Sequence, residues 1–224
     1  MSKILQYNPR LKDLLSGKII DTSMRFDVSF MHDRIPVSRI ETLIKLTAGK
    51  KILHVGCADH PELIEQKIEN SNHLHSILVK NCEVCTGLDT NIEAIDKLKE
   101  LGMNDVHTDI ADLPRDDYDI VILGEVLEHN GDAVSFLKEF IGLAEQVIVT
   151  VPNAYSALHA QMYFQRMEEC VNSDHRFWFT PWTLLKVMHD AGLEVRELLM
   201  ADPVNESMPH TSTTLVAVGE RYEV

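Results

Sequence analysis

The sequence is poor in cysteine, and its cysteines follow no regular spacing. Four cysteines in 224 residues are too few for the disulfide framework of a secreted domain. One pair has C-x-x-C spacing, but no second Cys or His pair follows at the distance of a zinc ribbon. We therefore expect reduced thiols at all four positions, which are Cys57, Cys82, Cys85 and Cys170.

Long apolar runs are also missing. The first residues contain no apolar stretch of signal-peptide length, and no stretch elsewhere approaches the length of a membrane span. We therefore expect a cytoplasmic protein with no membrane partner.

Positive charge is scarce as well. Lys and Arg number 21 against 35 Asp and Glu, which gives a formal net charge of −14. A nucleic-acid backbone is neutralised by clustered Lys and Arg. The composition therefore disfavours a nucleic-acid partner and leaves small substrates open, while nothing in it indicates the oligomeric state.

What the sequence does contain is a regular alternation of two patterns. Short β-branched apolar runs alternate with amphipathic stretches from about residue 50 onward, which is typical of parallel strands joined by crossover helices. The pattern predicts an α/β fold with a Rossmann-like, seven-stranded, mostly parallel sheet, helices on both faces and an antiparallel last strand. The predicted strands are 51–55, 84–88, 105–108, 119–123, 146–151, 193–200 and 212–220.

Helices are predicted between these strands. The clearest is 92–101, where Ile92, Ile95, Leu98 and Leu101 recur at helical spacing, with Asn91 placed to cap its start and Gly102 to end it. Others are predicted after Gly131, at about 154–171 and at about 181–191. Residues 1–49 are predicted to form a helical cap or entry segment, and residues 50–224 the main domain.

Polar or glycine-containing turns follow the first four strands. In an open parallel sheet, ligands bind at the carboxyl ends of the strands, beside the point where strand order reverses. Glycine in the first turn allows close approach of a ligand to the backbone. The residues in these turns are Gly56, Cys57 and Ala58, then Asp89, then Asp109 and Ile110, then Gly124 and Glu125.

In the order and spacing of these turns, residues 50–219 resemble the class I S-adenosylmethionine (SAM)-dependent methyltransferases. The resemblance implies SAM as cofactor, with its methionine part at Gly56, Cys57 and Ala58. It implies ribose binding by Asp89 and adenine binding at Asp109 and Ile110, with Gly124 and Glu125 completing the site.

The glycine turn departs from the pattern of that family, G-x-G-x-G. Ala58 and His60 stand at the second and third glycine positions, and His54 replaces the usual acidic residue of the strand. A Rossmann-like domain that binds NAD is the alternative, because an acid after the second strand also suits the ribose of NAD. The missing glycines make a pyrophosphate site less favourable still, so SAM is preferred.

A second motif, E-x-x-E-H, follows the fourth strand. If a helical turn begins there, Glu125, Glu128 and His129 share one face at the carboxyl edge of the sheet. Two carboxylates and an imidazole can bind a divalent cation. They are also the candidate catalytic residues.

This motif, followed by D-H at Asp174 and His175, resembles the metal-dependent 2′-O-methyltransferases of small RNAs. Its first half is similar to the ubiquinone-pathway O-methyltransferases. The resemblance implies Mg²⁺ or Mn²⁺ bound by Glu125, Glu128, His129 and His175. Related methyltransferases carry the motif without a metal, and in that interpretation His129 acts as a general base.

The segment after the fifth strand commonly covers the substrate in this fold, so Tyr155, Tyr163 and Arg166 are candidate substrate contacts. We expect methyl transfer to a hydroxyl of a small molecule, with a sugar, glycan or nucleotide-sugar as first choice. The stretch HVGCADHPEL supports this choice, since it resembles methyltransferases of polysaccharide pathways. The alternatives are a metal-dependent RNA 2′-O-methyltransferase and a catalytically silent SAM-binding protein.

Overall fold

In the computed structural model, a single sheet organises the chain. The structure describes residues 9–19, 37–114, 117–169, 172–205, 208 and 211–222. The sheet has seven strands in the order β3-β2-β1-β4-β5-β7-β6. Their bounds are β1 Lys51–Val55, β2 Val84–Leu88, β3 Val106–His107, β4 Tyr118–Gly124, β5 Ala144–Pro152, β6 Leu193–Pro203 and β7 Ser212–Arg221.

The pairing of the strands confirms the predicted sheet. β1 pairs in parallel with both β2 and β4, β2 with β3, and β4 with β5. β7 is antiparallel to β5 and to β6. Strand order therefore reverses beside β1, which places the carboxyl ends of β1 and β4 next to each other at the expected ligand-binding edge.

Eight α-helices occur in the described part of the chain. They are α1 Pro9–Leu15, α2 Arg39–Thr47, α3 Ile64–Glu69, α4 Leu74–Asn81, α5 Ile92–Glu100, α6 Ala133–Lys138, α7 Ala157–Arg166 and α8 Pro181–Ala191. Short 3₁₀ helices follow β3 and β4, at Ile110–Asp112 and Leu127–His129.

The two faces of the sheet pack against different helices. Alternate residues of β1 show the division, because Leu53 and Val55 join one apolar cluster with residues of α1, α6 and α8. Ile52 joins another, with Leu43 of α2 and Leu78 of α4. Successive side chains of a strand point to opposite faces, so helices cover both faces, as the sequence predicts.

Local sequence sets the bounds of α8. Thr180 caps its start by accepting a hydrogen bond from the Thr183 backbone N–H, Pro181 occupies its first turn, and Gly192 follows its end with a φ of 103°. Proline tolerates the first turn because its missing N–H has no partner there, and glycine adopts the left-handed conformation without a steric penalty. The observed helix matches the predicted 181–191.

The buried face of α5 differs from the expected one. Asn91 caps the helix as predicted, and Ala94, Ile95 and Leu98 are buried. Ile92, however, is 66% exposed. At about 100° per residue the three buried positions form one arc, and Ile92 falls beside that arc rather than on it.

The predicted 154–171 helix is shorter in the structure, where α7 ends at Arg166 with Met167 in a left-handed conformation. Among the cysteines, Cys57, Cys82 and Cys85 are free, and Cys170 lies outside the described residues. None of the described helices combines the length and apolar character needed to cross a bilayer.

The region predicted as a cap reaches the sheet through α2. Leu43 is fully buried among strand residues. Val37 forms a parallel bridge with Ala201 of β6, and the backbone N–H of Arg39 donates to Asp202 Oδ1 at 2.9 Å. These contacts fix the start of α2, and with it the Arg39 side chain.

Candidate active site

The turn after β1 lies against the end of β2. Gly56 N–H donates to the carbonyl of Leu88 at 2.8 Å, and the turn requires a φ of 72° at Gly56. A Cβ on this residue would lie 2.1 Å from Cγ2 of Val126. Both the conformation and the space therefore require glycine here.

Asp89, at the end of β2, binds this turn. One carboxylate oxygen accepts from the Ala58 N–H at 3.1 Å, and the other accepts from the Asn91 N–H at 3.0 Å. Burial raises the pKa of the Asp89 carboxyl, although these two hydrogen bonds oppose the shift. The predicted cofactor residues Gly56, Ala58 and Asp89 are thus brought together.

The turn after β3 holds the next predicted pair. Asp109 Oδ1 accepts from the Ala111 N–H at 2.8 Å and caps the 3₁₀ helix that begins at Ile110. The Ile110 side chain is exposed. Since β3 neighbours β2, this turn lies at the same edge of the sheet as Asp89.

Gly124 ends β4 beside a buried histidine. A Cβ at Gly124 would lie 2.9 Å from Nε2 of His54, the residue that stands in β1 where the family has an acid. His54 Nδ1 lies 3.3 Å from Nδ1 of His75, and both rings are buried. Burial lowers the pKa of both histidines, to about 4 for His75.

Glu125 has a left-handed backbone conformation, with a φ of 57°. For a residue other than glycine this conformation costs on the order of 1–3 kcal/mol, and it is found where surrounding contacts enforce it. Two such contacts are present. The Glu125 N–H donates to the Thr150 carbonyl at 2.9 Å, and its Oε1 lies 2.7 Å from Nη1 of Arg39.

The expected common helical face of Glu125, Glu128 and His129 is wrong in one respect. The helical turn begins only at Leu127 and is a 3₁₀ helix. Glu125 precedes it in the left-handed conformation, so helical spacing does not relate Glu125 to the other two residues. Glu128 and His129 remain adjacent on the short helix.

Glu128 is a buried carboxyl group. It is 1% exposed, and neither of its carboxylate oxygens has a hydrogen-bond partner within the described part of the chain. Burial raises the pKa of Glu128 to about 8, with a further contribution from the nearby Glu125 charge. A buried carboxylate is stable in the charged form only when a cation or a hydrogen-bond donor compensates it.

Backbone hydrogen bonds hold the segment of His175 against Glu128. The Glu128 carbonyl accepts from the Arg176 N–H at 2.7 Å and from the Phe177 N–H at 3.3 Å. The ring centroids of His129 and His175 lie 4.7 Å apart, edge to face. One ligand atom from each of Glu128, His129 and His175 lies within 4.8 Å of the others.

His175 and His129 differ in their polar neighbours. His175 Nδ1 is buried without a hydrogen-bond partner in the described structure. Burial lowers the pKa of His175, and His129 adds to this effect, which favours the neutral ring that binds cations. His129 Nδ1 lies 3.5 Å from Oδ2 of Asp174, a carboxylate that can orient the imidazole.

The three predicted substrate residues lie at different positions on and before α7. Tyr155 follows β5 and is 67% exposed, while Tyr163 lies on α7 and is 51% exposed. Arg166 ends α7, where its Nη1 lies 3.9 Å from Glu168 Oε2. In the described part of the chain, α7 contacts the site through His159. The His159 ring packs against Trp178, and Trp178 packs against His175.

The sequence patterns did not indicate Arg39, which belongs to the N-terminal region and reaches Glu125 only through the tertiary structure. Asp174 was noted in the D-H motif beside His175, but no role was predicted for it.

The methyltransferase domain family matches residues 29–198, and the chain belongs to this family. A search of curated proteins found no match.

Solved structures share the fold. Magnesium protoporphyrin IX methyltransferase from Synechocystis PCC 6803, with bound SAH, is 13% identical with a TM-score of 0.58, over 82% of each chain. A SAM-dependent methyltransferase from Aquifex aeolicus is 13% identical with a TM-score of 0.53, over 97% of this chain and 100% of its own. The small RNA methyltransferase HEN1 is 19% identical with a TM-score of 0.56, over 89% of this chain and 27% of its own.

The family match, together with the fold shared with solved SAM-dependent methyltransferases, identifies a class I SAM-dependent methyltransferase. SAM, rather than NAD, is its cofactor.

Proposed function

We propose that this methyltransferase transfers the SAM methyl group to a hydroxyl of a small molecule, a sugar, glycan or nucleotide-sugar in the first instance. The observation that carries the proposal is the group formed by Glu128, His129 and His175 at the carboxyl edge of the sheet. A hydroxyl attacks the sulfonium methyl poorly until its proton is removed or its acidity is raised. These three residues supply groups for both tasks.

SAM is proposed to bind along the turns that follow β1, β2, β3 and β4. Gly56, Cys57 and Ala58 would contact its methionine part and Asp89 its ribose hydroxyls. Asp109 and Ile110 would contact its adenine, and Gly124 and Glu125 would complete the site. The hydrogen bond from Ala58 N–H to Asp89 supports this placement, since it joins the first two turns.

A divalent cation fits the chemistry of the group formed by Glu128, His129 and His175. Glu128 has two buried oxygens without partners in the described structure, and His175 offers a buried nitrogen in the same state. A cation bound by Glu128, His129 and His175 would lower the pKa of an adjacent substrate hydroxyl. The bound cation would also compensate the buried charge of Glu128.

Methyl transfer requires the substrate hydroxyl to lose its proton. The substrate oxygen forms a bond to the methyl carbon as the bond from that carbon to sulfur breaks, which leaves S-adenosylhomocysteine. Where no cation is bound, the hydroxyl proton would pass to His129, whose Nδ1 lies 3.5 Å from the Asp174 carboxylate. Where a cation occupies the site, His129 would be one of its ligands, and the substrate hydroxyl, whose pKa the cation lowers, would release its proton to solvent. Positioning of the oxygen in line with the methyl group supplies much of the rate.

The net charge of the chain supports a sugar over RNA as the acceptor. The formal net charge of −14 opposes the neutralisation that an RNA backbone requires, whereas a sugar hydroxyl needs none. The fold similarity to the small RNA methyltransferase HEN1 and the grouping of Glu128, His129 and His175 favour RNA 2′-O-methylation as the second candidate. Tyr155, Tyr163 and Arg166 are proposed to contact the acceptor when it is bound.

Labelled SAM tests the proposal against a panel of sugars, nucleotide-sugars, phenols and short RNA ends, with Mn²⁺ present and then with EDTA. We expect label in a sugar-containing acceptor and a loss of about 100-fold or more in Glu128→Gln and His129→Asn. Glu139→Gln is the matched control, because Glu139 is an exposed acid at the end of α6.

The outcomes separate the alternatives. Label only in RNA would replace the sugar proposal with the second candidate, and activity that EDTA does not alter would remove the cation. SAM binding without transfer to any acceptor would favour a catalytically silent protein.

A further inference from the structure

Glu125 stands next to the cation-binding group without belonging to it. It lies between the end of β4 at Gly124 and the 3₁₀ helix that carries Glu128 and His129. Yet the ligand atoms that lie within 4.8 Å of one another belong to Glu128, His129 and His175. Among the described residues, Glu125 contributes no atom to that group.

An ion pair with Arg39 accounts for this position. Nη1 of Arg39 lies 2.7 Å from Oε1 of Glu125, and the two side chains are 19% and 37% exposed. A partly buried ion pair is less screened than one at the surface. The Glu125 carboxylate is therefore already paired with a cation of the chain.

Two contacts hold the backbone of Arg39 at the start of α2. Its backbone N–H donates to Asp202 Oδ1, and Ser38 caps the helix that it begins. Glu125 lies outside the 3₁₀ helix of Glu128 and His129, and its backbone N–H is held by the Thr150 carbonyl. Both partners of the ion pair are thus anchored by separate parts of the fold.

We propose that Arg39 withdraws Glu125 from the cation site, leaving two imidazoles and one carboxylate that select a first-row transition-metal ion over Mg²⁺. This inference rests on the proposed cation site. Imidazole nitrogen suits transition metals, whereas Mg²⁺ prefers oxygen ligands. Loss of one carboxylate from the set therefore weakens Mg²⁺ binding more than binding of an ion such as Co²⁺.

Direct metal titration of the full chain tests this, with Co²⁺ and Mg²⁺ as probes, no polyhistidine tag and no acceptor present. Calorimetry gives the affinities, and the visible absorption of bound Co²⁺ reports its coordination. In the wild type we expect Co²⁺ to bind about 100-fold or more tightly than Mg²⁺.

Variants distinguish ligands from neighbours. Glu125→Gln should change Co²⁺ affinity by less than about threefold, whereas Glu128→Gln should lower it by about 30-fold or more. Arg39→Met should raise Mg²⁺ affinity about tenfold and alter the Co²⁺ spectrum, because the freed Glu125 joins the set. The double variant Arg39→Met/Glu125→Gln should lose that gain.

Lys45→Met is the matched control, since Lys45 is an exposed cation of the same helix, and it should leave both affinities unchanged. Equal loss of Co²⁺ binding in Glu125→Gln and Glu128→Gln would make Glu125 a ligand and overturn the inference. So would an unchanged Mg²⁺ affinity in Arg39→Met, or a wild type that binds neither ion. Co²⁺ binding as expected without methyl transfer to any acceptor would instead count against the proposed function alone.

Discussion

Gly56 shows how one residue links the backbone to the cofactor site. Its φ of 72° disfavours any side chain, and a Cβ would lie 2.1 Å from Cγ2 of Val126. Gly102 has a φ of 89° but nothing within 4 Å of a Cβ. An alanine at Gly102 would therefore meet only the conformational penalty, whereas an alanine at Gly56 would meet that penalty and a steric clash.

We expect Gly102→Ala to lower the free energy of unfolding by about 1 kcal/mol, the penalty of the left-handed conformation. Gly56→Ala should lower it by a further 1–3 kcal/mol or so, because the clash displaces Val126. Urea unfolding of both variants measures the difference.

The added variant Gly56→Ala/Val126→Ala relieves the clash and should recover most of the further loss. Equal stabilities of Gly56→Ala and Gly102→Ala would show that the turn after β1 accommodates a side chain.

At the scale of secondary structure elements, β1 and α4 meet through two buried histidines. His54 and His75 are each 1% exposed, and their Nδ1 atoms lie 3.3 Å apart. One ring must then donate and the other accept. Burial lowers the pKa of both rings and so favours the neutral form of each. Their second nitrogens have no hydrogen-bond partner in the described structure.

This pair makes stability depend on pH. Burial lowers the pKa of His75 to about 4, against about 6.5 in the unfolded chain. Below pH 6.5 the unfolded state takes up a proton that the folded state does not, so stability falls as pH decreases from 6.5 towards 4. Above pH 6.5 the histidine has no such effect. The loss from His75 amounts to about 2 kcal/mol at pH 5.

His75→Gln should therefore reduce the difference in unfolding free energy between pH 8 and pH 5 by about 2 kcal/mol. Urea unfolding at the two pH values measures this difference. His60→Gln, a change at an exposed histidine of the turn after β1, is the control. A pH dependence equal to that of the wild type in His75→Gln would contradict a buried neutral pair.

The elements also show where sequence patterns are informative. Buried strands such as β1 and β2 have the bounds predicted from their apolar runs, and α8 begins and ends at its predicted residues, because local composition determines these segments. The turn after β4 is different. Helical spacing placed Glu125 beside Glu128, but the hydrogen bond to Thr150 and the ion pair to Arg39 set its conformation.

Those partners are remote in sequence, and no local pattern encodes them. The same holds for His175, which reaches Glu128 through backbone contacts of the 172–180 loop. The sequence could predict which residue types occupy the site, whereas the selection among four candidate ligands depends on tertiary contacts.

At the scale of the whole molecule, the proposed SAM site spans the turns of four strands, so cofactor binding should stabilise the fold. Asp89 holds the turn after β1 to the end of β2 through the Ala58 N–H, and its carboxylate is proposed to bind the SAM ribose. A ligand that binds only the folded state stabilises it by about 2.7 kcal/mol at 100 times its dissociation constant.

For a chain of this size, that stabilisation corresponds to a rise in melting temperature of about 5–10 °C. We expect this rise with SAM or S-adenosylhomocysteine and none with NAD at the same concentration, measured by calorimetric melting.

Asp89→Asn keeps the acceptor oxygen for one backbone N–H but loses the charge, so it should reduce the rise with SAM by half or more. Asp112→Asn alters an exposed acid of the 3₁₀ helix after β3 and should retain the full rise. An equal rise in Asp89→Asn and the wild type would place the ribose elsewhere along the edge of the sheet.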